Sequence, residues 1–221
     1  MAPARTPPRR RGRPSQPVLS EERITSAAIK IVATRGYQHL TMTELARELK
    51  VSTSALYNHT SSKRDVLIRV QDRINQGIDR SGFGSLPWDG ALERWARSYR
   101  DCYAQHTAMI PIMAVLPVAD SPHTLEMYEA VARGLADAGW ARGDIADVIV
   151  SVESLVFGAA YDATAPADIF DPGERSDLAP VFADAVRARP ADAAAAADEA
   201  FDVALRAMLD GLRLRLAAGR D

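Results

Sequence analysis

Twenty-seven residues, Leu40 to Val66 (LTMTELARELKVSTSALYNHTSSKRDV), concentrate the hydrogen-bonding side chains whose spacing could do chemistry. Thr41, Ser52 and Ser62 each precede a short apolar-periodic run, where a hydroxyl can accept from the free N–H groups of a helix start. Glu44 follows Thr41 by three residues and Asp65 follows Ser62 by three, giving T-x-x-E and S-x-x-D capping boxes. The first helix should bury Leu45, Ala46 and Leu49, with a tight turn at Lys50-Val51. The second, Thr53 to His59, should turn Ala55 and Leu56 inward and carry Tyr57, Asn58 and His59 at its far end. A third should open with Lys63 and Arg64 in its first turn. Three helix starts in so short a span leave room only for short helices packed at steep angles. That is the geometry of a helix-turn-helix, which presents one helix to the major groove of DNA.

The charge distribution points the same way. Residues 1–66 hold 12 Lys and Arg against 5 Asp and Glu, a net +7, and residues 67–221 hold 15 against 24, a net −9. A basic head on an acidic body is the footprint of a chain that meets nucleic acid at one end. The first 17 residues contain five Arg, five Pro and no acid, which predicts a disordered basic arm. Within it, Arg11-Gly12-Arg13-Pro14 resembles the core of an AT-hook, whose extended Arg side chains follow the narrow minor groove of A·T-rich DNA. Arg11 and Arg13 are therefore candidate DNA contacts, the alternative being a solubilising tail.

Other function classes find no support. The chain has no Gly-rich phosphate loop, G-x-S-x-G or H-E-x-x-H motif and no Cys/His cluster, so neither an enzyme nor a metal or cofactor is expected. His106 and His123 lack partners at metal-ligand spacing. The basic, Pro-rich start is unlike a secretory signal, and no apolar run approaches a membrane span. The single Cys102 fits a reducing cytoplasm.

The order of the motifs makes a family resemblance specific. The run Thr41 to Ala46, Val51-Ser52, Leu56-Tyr57-x-His59 and Ser62-Lys63 followed by Leu67 resembles the DNA-binding domain of the TetR/AcrR family of transcriptional regulators. Upstream, Ile24, Ala27, Ala28, Ile31 and Gly36-Tyr37 match that family's first helix. Two positions depart from it: Thr60 stands where Phe is usual, and Lys50 where Gly is frequent. The resemblance implies that Thr53, Ser54, Ala55 and Asn58 face base edges, and that Thr41, Thr43, Tyr57, His59 and Lys63 touch phosphates. It implies an all-α fold, with a helix-turn-helix domain over 18–66 and a larger helical ligand-binding and dimerisation domain over 67–221. Its partners would be a palindromic double-stranded operator, a small-molecule effector and a second copy of the chain. The expected function is a repressor released by a small apolar ligand; the alternative is an architectural DNA-binding protein with little sequence preference.

The positioning elements follow from hydrophobic periodicity. Ser20 should cap a first helix to Arg35, with Tyr37 and Leu40 packed under the motif. A linker helix should run from Lys63 to about Gly82. In the body, helices are expected over 88–106, from Ser121-Pro122 to Gly139 with Ser121 as cap, over 144–163, 181–188 and 190–218. The helices over 144–163 and 190–218 are apolar on more than one face, and in the resembled family such a pair forms a four-helix dimer interface. Trp95, Tyr99, Tyr103, Met109, Met113, Met127, Phe157 and Tyr161 are candidate pocket residues, with plain core packing as the alternative for each.

Overall fold

Ser20 opens the first helix by accepting from the Arg23 N–H at 3.3 Å, and α1 runs Glu21–Arg35. Gly36 ends it with φ +88°, a conformation that costs a residue without Cβ little. A computed structural model describes residues 19–219. After a 3-10 turn at Tyr37–His39 come α2 (Met42–Leu49), α3 (Thr53–Tyr57) and α4 (Lys63–Asn75). The body follows with α5 (Trp88–Ala104), α6 (Ile110–Met113), α7 (Pro122–Asp137), α8 (Arg142–Asp162), α9 (Pro180–Arg187) and α10 (Ala193–Ala218). The described residues thus form the all-α architecture expected.

Each short head helix closes on an apolar face. Leu45, Ala46 and Leu49 of α2 and Leu56 of α3 are buried against Ile24, Ala28 and Ile31 of α1 and Val66 and Val70 of α4. Helix α4 crosses from head to body, packing on α1 at one side and on α7 and α5 at the other. One hydrophobic cluster therefore extends from Ile24 through Leu92, Met127 and Val152 to Leu216. Removing such large apolar side chains from water supplies most of the driving force.

Several boundaries differ from expectation for identifiable reasons. Helix α3 stops at Tyr57, not His59, because the N–H groups of His59 and Thr60 both turn back to the Leu56 carbonyl, at 2.9 and 3.1 Å. Helix α4 stops at Asn75, well short of Gly82. Beyond it the Asp79 N–H donates to Ser98 Oγ at 2.7 Å, and Asp79 Oδ1 accepts from the Ser81 N–H at 2.8 Å. Helix α10 begins at Ala193 under an Asp192 cap instead of at Pro190. Ser121 makes no cap. It is buried, and its hydroxyl donates to Gln71 Oε1 at 3.4 Å while Asp72 caps α7 from the side. Asp72 Oδ1 accepts from the His123 and Thr124 N–H groups at 2.8 and 3.2 Å.

The long helices α8 and α10 pack on each other and leave apolar side chains uncovered. Val150 is 58% exposed, Val203 67% and Leu214 73%. No helix among the described residues is long and apolar enough to cross a membrane.

Candidate DNA-contacting surface

The caps of the head place its outward side chains. Thr41 accepts from the Glu44 N–H at 3.1 Å, Ser52 from the Ala55 N–H at 3.1 Å and Ser62 from the Asp65 N–H at 3.1 Å. The reciprocal halves of both boxes are rerouted. The Glu44 carboxylate accepts from Arg47 Nε at 3.0 Å and pairs with Arg35, tying α2 to α1. Asp65 Oδ2 reaches one residue further back than expected, accepting from the Ser61 N–H at 2.9 Å and the Thr60 hydroxyl at 2.8 Å. Thr60, at the position where Phe is usual in the resembled family, is thus buried with its hydroxyl satisfied. Burial pushes the Asp65 carboxyl up, but the Ser61 and Thr60 hydrogen bonds and the Arg69 charge together hold it below the usual carboxylate range.

Leu56 is fully buried and anchors α3, so the residues around it turn outward. Ser54, Tyr57, Asn58 and His59 are exposed, and Thr53 and Ala55 are half-buried; Ala55 is thus less inward than expected. The Ser52 and Ser54 hydroxyls lie 3.1 Å apart. Thr41 and Thr43 are exposed at the start of α2, on the neighbouring rim. The His59 carbonyl accepts from Arg69 Nη1 at 2.8 Å, which fixes the chain after α3. Arg11 and Arg13 lie outside the described residues.

Tyr37 was expected beneath the motif. Instead it is 44% exposed, and the Lys63 ammonium sits 3.7 Å from its ring centroid and donates to its carbonyl at 3.4 Å. Lys63 is thereby held between the start of α4 and the end of α1. The two residues are 26 apart, so no local pattern announces the pair. Lys50 closes α2 in the left-handed region, φ +56° and ψ +43°, and is exposed. A non-Gly residue there carries strain of roughly 1 kcal/mol. What results is an exposed run of hydroxyl, amide and imidazole side chains on α3 and its C-terminal end, Ser54, Tyr57, Asn58 and His59, able to meet phosphates and base edges.

The body's candidate pocket residues divide. Trp95, Tyr99, Tyr103, Met109, Met113 and Met127 are buried, Phe157 is half-buried and Tyr161 is 45% exposed. Trp95, Tyr99, Tyr103 and Phe157 form one aromatic cluster, with successive ring centroids 5.1–5.7 Å apart. Sequence reasoning missed the polar groups among them. Tyr99 and Tyr128 both donate to Glu153 Oε1, at 2.9 and 2.5 Å. Tyr103 donates to Asn75 Oδ1 at 2.8 Å, and Asn75 Nδ2 to Thr124 Oγ1 at 2.9 Å. His123 Nδ1 lies 2.6 Å from Asp72 Oδ2.

Comparison with known proteins covers both parts of the chain. Residues 24–70 match the family model described as bacterial regulatory proteins, tetR family, and residues 84–216 match the tetracyclin repressor-like C-terminal domain. The HTH-type transcriptional repressor DrrR1 of Streptomyces coeruleorubidus is 27% identical over 153 residues, 69% of this chain; the match spans 56% of DrrR1's length. A possible TetR family transcriptional regulator from Streptomyces coelicolor A3(2) superposes with a TM-score of 0.72 at 24% identity, covering 88% of this chain and 99% of that one. BioQ of Mycobacterium smegmatis superposes at 0.63 and 27% identity, covering 90% and 99%. BioQ with its natural double-stranded DNA operator superposes at 0.56 and 26%, covering 78% and 100%.

Proposed function

Because the chain belongs to the TetR family of DNA-binding transcriptional regulators, we propose that it is a repressor of a nearby promoter, released from its operator by a small, largely apolar ligand. The observation that carries this reading is the exposed run at α3, where Ser54, Tyr57, Asn58 and His59 stand out above the fully buried Leu56. Asn58 can pair with adenine in the major groove. Thr53, Ser54 and Ala55 offer short contacts to base edges, including thymine methyl groups. Thr41, Thr43, Tyr57, His59 and Lys63 set the register on phosphates, and Arg11 and Arg13 add minor-groove contacts.

The operator is an imperfect palindrome read by a homodimer. Uncovered apolar side chains on α8 and α10 favour those helices as the dimer face. Gly158 adds room for close helix approach, since a Cβ built on it would meet nothing within 4 Å. Two recognition helices would then enter successive major grooves roughly 34–36 Å apart. The effector belongs in the aromatic interior of the body, between α5, α7 and α8. There it can change how α4 is held only by binding one arrangement better than the other.

The test is a fluorescence-anisotropy titration of the full chain with the DNA upstream of its own gene, in excess competitor DNA and at two salt concentrations. A repressor binds in the presence of competitor and gives a symmetric footprint. Binding lost to competitor, with a steep salt slope, would replace this reading with the architectural one.

A further inference from the structure

We infer that the effector is an organic cation, an amine or quaternary ammonium on an aromatic or aliphatic body, that pairs with the Glu153 carboxylate inside the aromatic cluster. The inference rests on the effector-responsive reading above and names the ligand chemistry of that same interior.

Most of the half-buried acids of the body are tied to cations, and most of the unpaired ones lie exposed at the surface. Glu93 and Asp202 pair with Arg97, Asp79 with Arg94, Asp89 with Arg213 and Asp144 with Arg215. Glu153 differs. Among the described residues its hydrogen bonds come only from the Tyr99 and Tyr128 hydroxyls, both to Oε1, and no Lys, Arg or His pairs with it. Oε2 is left to accept. Burial pushes the carboxyl above its usual range, and the two tyrosine hydrogen bonds offset the cost of its charge only in part. A glutamine would accept from the same two hydroxyls without that cost. A carboxylate retained in such a place is a candidate functional group.

Its surroundings favour a cation. Phe157 lies one turn further along α8, with its ring centroid 5.7 Å from that of Tyr99 and 5.1 Å from that of Tyr103. Aromatic faces beside a carboxylate bind ammonium groups by combining ring quadrupole and charge. The Trp95 ring packs on Tyr99 with centroids 5.4 Å apart, extending the aromatic cluster. Glu153, Tyr128 and Phe157 are only partly buried, so the group is not sealed from solvent. A bound cation would also reach the head. Tyr103, in contact with both Tyr99 and Phe157, donates to Asn75 at the end of α4, the helix that crosses from the head into the body.

The test uses the full chain without DNA and a matched pair of probes, 3-phenylpropylamine (protonated at pH 7) and the neutral 3-phenylpropan-1-ol, followed by tryptophan fluorescence and calorimetry. The amine should bind wild type at least tenfold more tightly than the alcohol. Glu153→Gln should reduce the amine to the alcohol's affinity while leaving the melting temperature unchanged or higher. Tyr128→Phe, which keeps the carboxylate, should retain the preference for the amine. Equal affinities, no binding of either probe, or a preference that survives Glu153→Gln would overturn the inference. A separate operator titration keeps the underlying reading distinct: an amine that binds at Glu153 without releasing DNA would sink the effector role and leave the cation site standing.

Discussion

In the head, Thr41 caps through Glu44, Ser52 through Ala55 and Ser62 through Asp65, each across three residues. In the body, Tyr103 reaches Asn75 across 28 residues, Asn75 reaches Thr124 across 49, and Tyr99 reaches Glu153 across 54. The head satisfies its helix starts locally and near the surface, where water replaces a lost partner, and its longer pairs, such as Lys63 with the Tyr37 carbonyl, are also at the surface. The body satisfies them between helices, where water replaces a lost partner poorly. One region is thus built from small independent increments, the other from a network whose members depend on one another. Under the proposed function, this division suits a constant surface for DNA and an interior that responds to an effector.

The comparison can be broken most directly at Asn75. Asn75→Ala strands the Tyr103 hydroxyl and the Thr124 hydroxyl together. It should cost about 2–4 kcal/mol in urea unfolding, whereas Ser52→Ala in the head should cost about 1 kcal/mol. Equal costs would erase the distinction between the regions. Asn58→Ala tests the exposed run at α3 without touching the core, since the side chain is exposed. It should weaken operator binding by about 1–3 kcal/mol and leave non-specific binding nearly unchanged; a loss on all DNA alike would assign Asn58 to phosphate.

Asp65 is the head's most interconnected acid, and its substitution sharpens the contrast. Asp65→Ala should cost about 1–2 kcal/mol at pH 7 by removing the bonds to Thr60 and Ser61. The folded-state carboxyl lies below its usual range, so its contribution is complete above the unfolded-state value and fades as pH falls through the folded one. Melting curves of wild type and variant should therefore converge in acid; a gap that widened there would reverse the sign. The smallest effect belongs to Lys50→Gly. Relief of the left-handed Lys50 should stabilise the head by roughly 0.5–1 kcal/mol. The same change should reduce the salt slope of DNA binding by about 1 if Lys50 meets a phosphate.

The legibility of the two regions follows the same line. The caps at Ser20, Thr41, Ser52 and Ser62 were readable because their partners lie within one helical turn, and the buried Leu45, Leu49 and Leu56 because apolar spacing marks a helix's inward face whatever packs on it. Errors began where the partner came from another element. Ser121 reads as a cap but is buried against Gln71, and its capping role passes to Asp72 of α4. Tyr37 reads as core but is drawn outward into a pair with Lys63. Glu153, within the apolar run of α8, carries no mark of its two tyrosine partners.

Sequence alone determined the class of this protein: its helices, the three-start motif, the basic head and the order of residues that places it in its family. Those features depend on local backbone hydrogen bonding and on hydrophobic periodicity, both of which act over a few residues. Tertiary structure alone decided which polar side chains meet inside the body. It set Glu153 between two tyrosines, joined Asn75 to Tyr103 and hung α7 from Asp72. Such pairings form only when helices far apart in the chain pack and exclude the water that would otherwise satisfy each group separately.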